Sequence, residues 1–293
     1  TRAYRQSTCP LISRLGSEYS ARIALAEMKN RTGRIECSEP FCCKGEDMAR
    51  DGIKRLGLLT PPANTTMEDD FARWMPDSVR LHTNRLTAPD NCTNVEYLEA
   101  IAEHVSESSR LLNQVPIDVI AFGCTSGSFL HGPGYDDKIT SEIKDATGGV
   151  STVVTAAAVV DALKSLNVTK ISACSPYTDA INERLKEFYS HAGFDILNFA
   201  AVDPKRVNSI HDAPPEVALE LALSVNTPES EAIFISCTAF NGASEVIEEL
   251  EQKTGKPIVT SNQATFWWCM REMGITEAIP GGGILMGRER PVE

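Results

Sequence analysis

Four chain segments recur in the same order in the two halves of this sequence, and that repetition limits the fold more than any single motif does. Segment 53–71, IKRLGLLTPPANTTMEDDF, shares its outline with 169–185, TKISACSPYTDAINERL: an apolar strand, Thr or Ser then Pro, a polar turn and a helix start. The second strands are VRLHTNRL (79–86) and FDILNFAAV (194–202). The third pair, IDVIAFGCTSGS (117–128) and EAIFISCTAFNG (231–242), ends each apolar strand on Cys-Thr, and the fourth joins VSTVVTAAA (150–158) to KPIVTSNQA (256–264). The offset between halves stays at about 105 to 115 residues.

Short apolar runs rich in β-branched residues, separated by stretches of helical spacing, are the βαβα pattern of a parallel sheet covered on both faces. The expected fold is therefore α/β. Two similar lobes, each a parallel sheet flanked by helices, are related by pseudo-twofold symmetry with the site between them. The expected boundaries are 51–160 for the first lobe and 161–265 for the second, with 266–293 packing back on the first. Residues 1–50 hold no sustained helix or strand period and are read as a poorly structured extension.

Ligands of open parallel sheets bind beyond the carboxyl ends of the strands, where both Cys-Thr pairs stand. Duplication thus sets Cys124 and Cys237 on opposite walls of one cleft. A thiol at a strand end, just before a helix, lies near backbone N–H groups and the positive end of the helix dipole. That setting is expected to favour thiolate and lower the pKa from about 8.5. Thr125, Ser126 and Thr238 offer hydroxyl and N–H donors to a carboxylate or its enediolate. Two acid/base groups and an anion cradle suit moving a proton between the faces of a carbon beside a carboxylate, or adding a thiolate to an activated double bond. A lone strand-end cysteine more often packs as a small hydrophobe; the matched position in both halves favours function here. Cys174, Cys269 and Cys92 have no such counterpart and read as core or surface residues.

Composition narrows the ligand and the setting. With 40 acidic against 28 basic residues and a net charge of −12, no nucleic-acid surface is expected, and an anionic ligand has to be held by local donors. No apolar run approaches the roughly 20 residues of a membrane helix. The nine cysteines show neither CxxC pairs nor zinc spacing, which points to no metal and to a reducing, cytoplasmic compartment. The sequons at Asn64, Asn91 and Asn167 carry no meaning in such a compartment. The five histidines are scattered. His131 is read as part of a loop turn shaped by Gly132 and Gly134, Gly281–Gly283 as a flexible turn, and Phe266–Trp268 as the start of an amphipathic helix in the core or at a subunit contact.

At these motifs the chain resembles the aspartate/glutamate racemase superfamily, in the branch of maleate isomerases, arylmalonate decarboxylases and ectoine-utilisation proteins. The resemblance covers about 53–280 and rests on TPPANTTMEDDF, FGCTSGS with HGPG soon after, SPYTDA, FISCTAF and PIVTSNQATFWWCMREMGI. It implies catalysis between two lobes with no cofactor, acting on a small carboxylate, in a homo-oligomer expected to be a dimer. Cys124 matches the thiol that adds to the double bond of a cis-diacid, and Cys237 its acid/base partner. Asn64 and Tyr177 match carboxylate ligands, with Thr178 and Ala239 completing the expected set. From the residues alone, Asn64 also fits a turn and Tyr177 simple packing. The branch's second-lobe asparagine finds Pro204 at its place, with Asn208 offset. Arylmalonate decarboxylases carry Gly where this chain has Cys124, so two thiols favour a cis-trans isomerase, or an amino-acid or hydantoin racemase, over a decarboxylase. An ectoine-degradation enzyme is a further alternative. A two-lobed small-molecule sensor is the non-enzymatic one.

Overall fold

The computed structural model describes residues 52–89, 94–203, 205, 207 and 209–291. The extension 1–50, Cys92, Pro204 and Asn208 lie outside the described residues. Strand β1 (Lys54–Thr60) leads through α1 (Thr66–Trp74) to β2 (Val79–Arg85), and α2 (Asn94–Glu103) and α3 (Val105–Leu112) lead to β3 (Val119–Phe122). After the short α4 (Thr125–Ser128) come α5 (Tyr135–Thr147), β4 (Ser151–Val154) and α6 (Thr155–Ser165). The second half runs β5 (Lys170–Ser175), α7 (Asp179–His191), β6 (Asp195–Ala201), a 3-10 turn (Ile210–Asp212), α8 (Pro215–Val225) and β7 (Ala232–Ile235). It ends with α9 (Ile247–Thr254), β8 (Ile258–Thr260), α10 (Ser261–Glu272) and a second 3-10 turn (Ile284–Gly287).

Two four-stranded sheets result, ordered β2-β1-β3-β4 and β6-β5-β7-β8, and all their pairings are parallel. Both belong to one compact unit, Asp51–Glu293. Register repeats as well as order: Leu56 pairs with Val119 in the first sheet and Ile171 with Ala232 in the second. β3 and β7 are buried along their whole length, as VIAF and AIFI require once helices cover both faces. Each such Val, Ile or Phe contributes roughly 1.5–3 kcal/mol by leaving water. Gly57 lets a helix lie close on the first sheet, because a Cβ there would stand 2.8 Å from Leu112 Cδ2.

In each sheet the chain reverses its winding between the first and third strands. The crevice at that switch point opens beyond the carboxyl ends of β1 and β3, and again of β5 and β7. The loops after these four strands carry Asn64, Cys124, Tyr177 and Cys237.

Helix α10 differs from expectation. It begins at Ser261 with a capping box between Thr260 and Gln263, and eleven of its twelve residues are buried, so it is not amphipathic. Phe266 meets Phe71 and Trp74 of α1 at ring-centroid distances of 5.1 and 5.7 Å, which sets this second-half helix against first-half elements. Its other side is covered by the chain end: Trp267 Nε1 donates to Arg288 O at 2.8 Å and Arg271 Nε to the same oxygen at 2.8 Å. A helix enclosed by both halves and the C-terminal segment has no solvent face left to be polar. Gly281 and Gly283 adopt positive φ of 78° and 66° within that segment.

Candidate active site

One cavity of about 370 Å3 opens where the two switch points meet. All nine residues singled out in the sequence line it: Asn64, Cys124, Thr125, Ser126, Tyr177, Thr178, Cys237, Thr238 and Ala239. Thr178 is the exposed one, at the rim. His131 does not line it; its ring packs edge-on against Tyr135 at 4.6 Å, in the turn that Gly132 and Gly134 make with positive φ.

The first-half wall is built by the loops after β1 and β3. Asn64 is buried and does two things at once. Its Oδ1 accepts from the Met67 N–H at 3.2 Å, closing the first turn of α1, and its Nδ2 donates to Thr238 Oγ1 at 3.0 Å in the opposite half. Cys124 caps α4, its sulfur accepting from the Gly127 N–H at 3.3 Å with Ser126 Oγ 4.0 Å away. Gly127 is needed there, since a Cβ would approach Cys124 Sγ to 2.9 Å.

The second-half wall mirrors it with one difference. Cys237 adopts φ 108°, a left-handed conformation that side chains other than glycine rarely accept, whereas Cys124 is extended. Ala239, Phe240 and the Tyr177 hydroxyl lie near enough to the Cys237 thiol to lower its pKa against burial, and the Phe240 N–H donates to Cys237 O at 3.4 Å. The Tyr177 hydroxyl also accepts from Ser236 Oγ at 3.4 Å. Thr238 Oγ1 donates to Gly123 O at 3.1 Å, tying its loop to the first half.

The thiols depart from expectation in their acidity. Burial pushes Cys124 up to about 12, against the lowering effect of the Gly127 N–H and Ser126, and the nearby Cys237 raises it further. Burial likewise raises Cys237 to about 11, with Ala239, Tyr177 and Phe240 pulling the other way. Helix α4 spans only four residues, and its short dipole together with the donors does not outweigh the loss of water around a nearly enclosed sulfur. Both groups are therefore thiols at neutral pH. Cys174 and Cys269 are fully buried in the core, and burial raises them too.

Several residues behind and around the site carry no mark in the sequence. Ser261, just beyond β8, accepts from Thr125 Oγ1 at 2.9 Å and from the Cys237 N–H at 3.0 Å. Asp70 is buried on α1, where Ser244 Oγ and Asn262 Nδ2 both donate to its Oδ2 at 2.7 Å, and Asn262 Nδ2 also reaches Thr238 O at 3.0 Å. Burial raises the Asp70 carboxyl, while Asn262, Ser244 and Arg73 oppose the rise. Leu98, Ile181, Ile210 and His211 also line the cavity. TSNQA was visible as a motif, but nothing in its spacing announces a hydroxyl shared between the halves. Among the described residues no group of three or more His, Cys, Asp or Glu could hold a metal, and no helix is long and apolar enough to cross a membrane.

Two nearly dry thiols, the first aimed by the Gly127 N–H and both close to hydroxyls, can deliver and remove protons or form a thioether at one small anion. Comparison with known proteins points the same way. The sequence profile of the family described as Arylmalonate decarboxylase matches residues 56–286. A maleate isomerase of Nocardia farcinica is 24% identical over 249 residues, covering 82% of this chain and 98% of that protein. An arylmalonate decarboxylase of Bordetella bronchiseptica is 27% identical over 241 residues, covering 81% and 98%. A solved structure of a Nocardia farcinica maleate cis-trans isomerase variant, with a cysteine replaced by serine and a covalently bound succinylcysteine intermediate, superposes with a TM-score of 0.72. It is 22% identical, with coverage of 80% and 98%.

Proposed function

The chain belongs to the arylmalonate decarboxylase family, and from that premise we propose that it is a cis-trans isomerase of a small dicarboxylate such as maleate, working with two cysteines. The observation that carries this reading is the pair of strand-end thiols, Cys124 and Cys237, lining one cavity with hydroxyl and amide donors between them. The relatives named maleate isomerase, and the succinylcysteine held by one of them, support it.

The chemistry balances without an outside reagent. Cys124, a thiol at rest, gives its proton to water and regains it when the product leaves; its sulfur adds to one carbon of the double bond, and the displaced electron pair moves toward the neighbouring carbon and its carboxylate. Cys237 gives its proton to that carbon, leaving a succinyl thioether on Cys124 and a thiolate at Cys237. The former double bond is now single and turns. Cys237 takes a proton back, the C–S bond breaks, and the trans-diacid leaves with both cysteines restored. Asn64 through its second amide hydrogen, Ser126 and Tyr177 through their hydroxyls, and the backbone near Thr125, Thr178, Thr238 and Ala239 serve as donors to the carboxylates, whose charge grows as the enediolate forms. The proposal extends to a cofactor-independent reaction, a cytoplasmic location and a dimer, testable by activity after chelation, by cell fractionation and by light scattering.

Incubation with maleate in deuterated water, followed by NMR, tests the reading. Fumarate is expected, and Cys124→Ala and Cys237→Ala should each reduce turnover at least about 10³-fold while staying folded. Full activity in either variant defeats the two-thiol mechanism. Carbon dioxide release from an arylmalonate that survives Cys124→Ala would instead identify a decarboxylase.

A further inference from the structure

We propose that Ser261 is a positioning residue that holds Cys237 in its strained backbone conformation and locks it to Thr125 across the cleft. The inference rests on the reading that Cys237 and Thr125 act in the reaction. Its starting point is the positive φ of Cys237, 108°, which persists only if surrounding bonds over-determine it. Ser261 supplies the central one, since its Oγ accepts the Cys237 N–H at 3.0 Å. The following residue holds the other side of the same loop, Asn262 Nδ2 donating to Thr238 O at 3.0 Å while anchored on Asp70 Oδ2 at 2.7 Å. Thr238 Oγ1 closes the arrangement on Gly123 O.

The same Ser261 oxygen also accepts from Thr125 Oγ1 at 2.9 Å. The residue after the first cysteine and the backbone of the second therefore meet on one buried oxygen. The equivalent position in the first half shows what is special here. Thr155, just beyond β4, donates to Phe122 O at 3.0 Å and accepts from Thr265 Oγ1 at 3.2 Å, bonding to neither the Cys124 backbone nor its neighbour, and Cys124 is extended. The asymmetry gives Ser261 a specific effect: with φ fixed, the Cys237 thiol stays beside Ala239, Phe240 and the Tyr177 hydroxyl, the donors that lower its pKa against burial. Released from Ser261, Cys237 relaxes toward negative φ and turns its sulfur away from those donors.

The experiment compares wild-type protein with Ser261→Ala, Ser261→Gly and Ser261→Thr. It reads kcat and KM with maleate, thermal midpoints, and the pH profile of iodoacetamide alkylation of Cys237 in ligand-free protein, with Cys124 in the same digest as reference. Without the hydroxyl, kcat should fall about tenfold or more with KM changing less, and the Cys237 profile should move to higher pH relative to that of Cys124. Ser261→Thr should restore both. A Cys237 profile that is unchanged or moves to lower pH overturns the proposal, as does a loss of kcat that follows thermal stability and is not rescued by threonine. The Gly variant reads the same effect if the Ala variant is too unstable to purify. Because alkylation needs no substrate, a protein that does not turn over maleate still answers the question.

Discussion

Asn64 and Thr238 stand in different halves of the chain and share one hydrogen bond of 3.0 Å, amide to hydroxyl, on the floor of the cleft. Neither residue has a spare role. Asn64 also closes the first turn of α1, and the Thr238 hydroxyl passes its own hydrogen to Gly123 O.

Removing either partner therefore strands buried groups. Asn64→Ala and Thr238→Val are each expected to destabilise the fold by about 1–3 kcal/mol and to raise KM for a carboxylate. The double variant should cost less than the sum of the two, by roughly 0.5–3 kcal/mol, as for directly bonded partners. Chemical denaturation of the four proteins in the cycle measures this; strict additivity would show that the bond carries no coupling.

Burial of the thiols gives a signed pH dependence. Cys124 stands near 12 and Cys237 near 11 in the folded, empty protein, against an ordinary value of 9.0. A group with a raised folded pKa contributes its stability fully below the ordinary value and loses it as pH climbs toward the folded one. Each such thiol then costs about 1.4 kcal/mol per pH unit above 9. Thermal midpoints should fall steeply between pH 9 and 11, less so in a Cys174→Ala, Cys269→Ala variant. Over the same range alkylation of both Cys124 and Cys237 should climb with pH, whereas a plateau of either near pH 7 would contradict the burial argument.

The space beside Cys124 is a second check. A Cβ at position 127 would lie 2.9 Å from the sulfur, and the Gly127 N–H is the donor that aims it. Gly127→Ala should leave the thermal midpoint within a few degrees yet lower kcat about tenfold or more, by swinging the sulfur off its line. Unchanged kcat would show that the thiol has room to move.

Much of this was legible because repeats and parallel strands leave strong marks. IDVIAFGC and EAIFISC each read as a buried strand ending on a thiol, and β3 and β7 occupy those places. A strand buried on both faces has to be continuously apolar, so its end is marked by the first polar residue. Asn64 and Tyr177 needed the family resemblance, because a polar residue in a Pro-containing loop looks the same whether it binds or turns. Acidity was misjudged because it depends on how much water reaches a sulfur, which strand-end position does not reveal. Ser261 was invisible for a related reason: its partners, Thr125 and the Cys237 backbone, are brought to it only by tertiary packing.

Helix α10 has a consequence for how such a chain holds together. It is made by the last stretch of the second half, yet Phe266 fills a space among Phe71 and Trp74 of the first. A fragment ending at residue 160 would expose that socket, and a fragment beginning at 161 would carry an unsheltered plug of Phe266, Trp267 and Cys269. Cut there, the polypeptide has two incomplete pieces whose best partner is each other. The same lock keeps the two thiols in register where the single stretch of chain that joins the halves, between α6 and β5, could not do so alone.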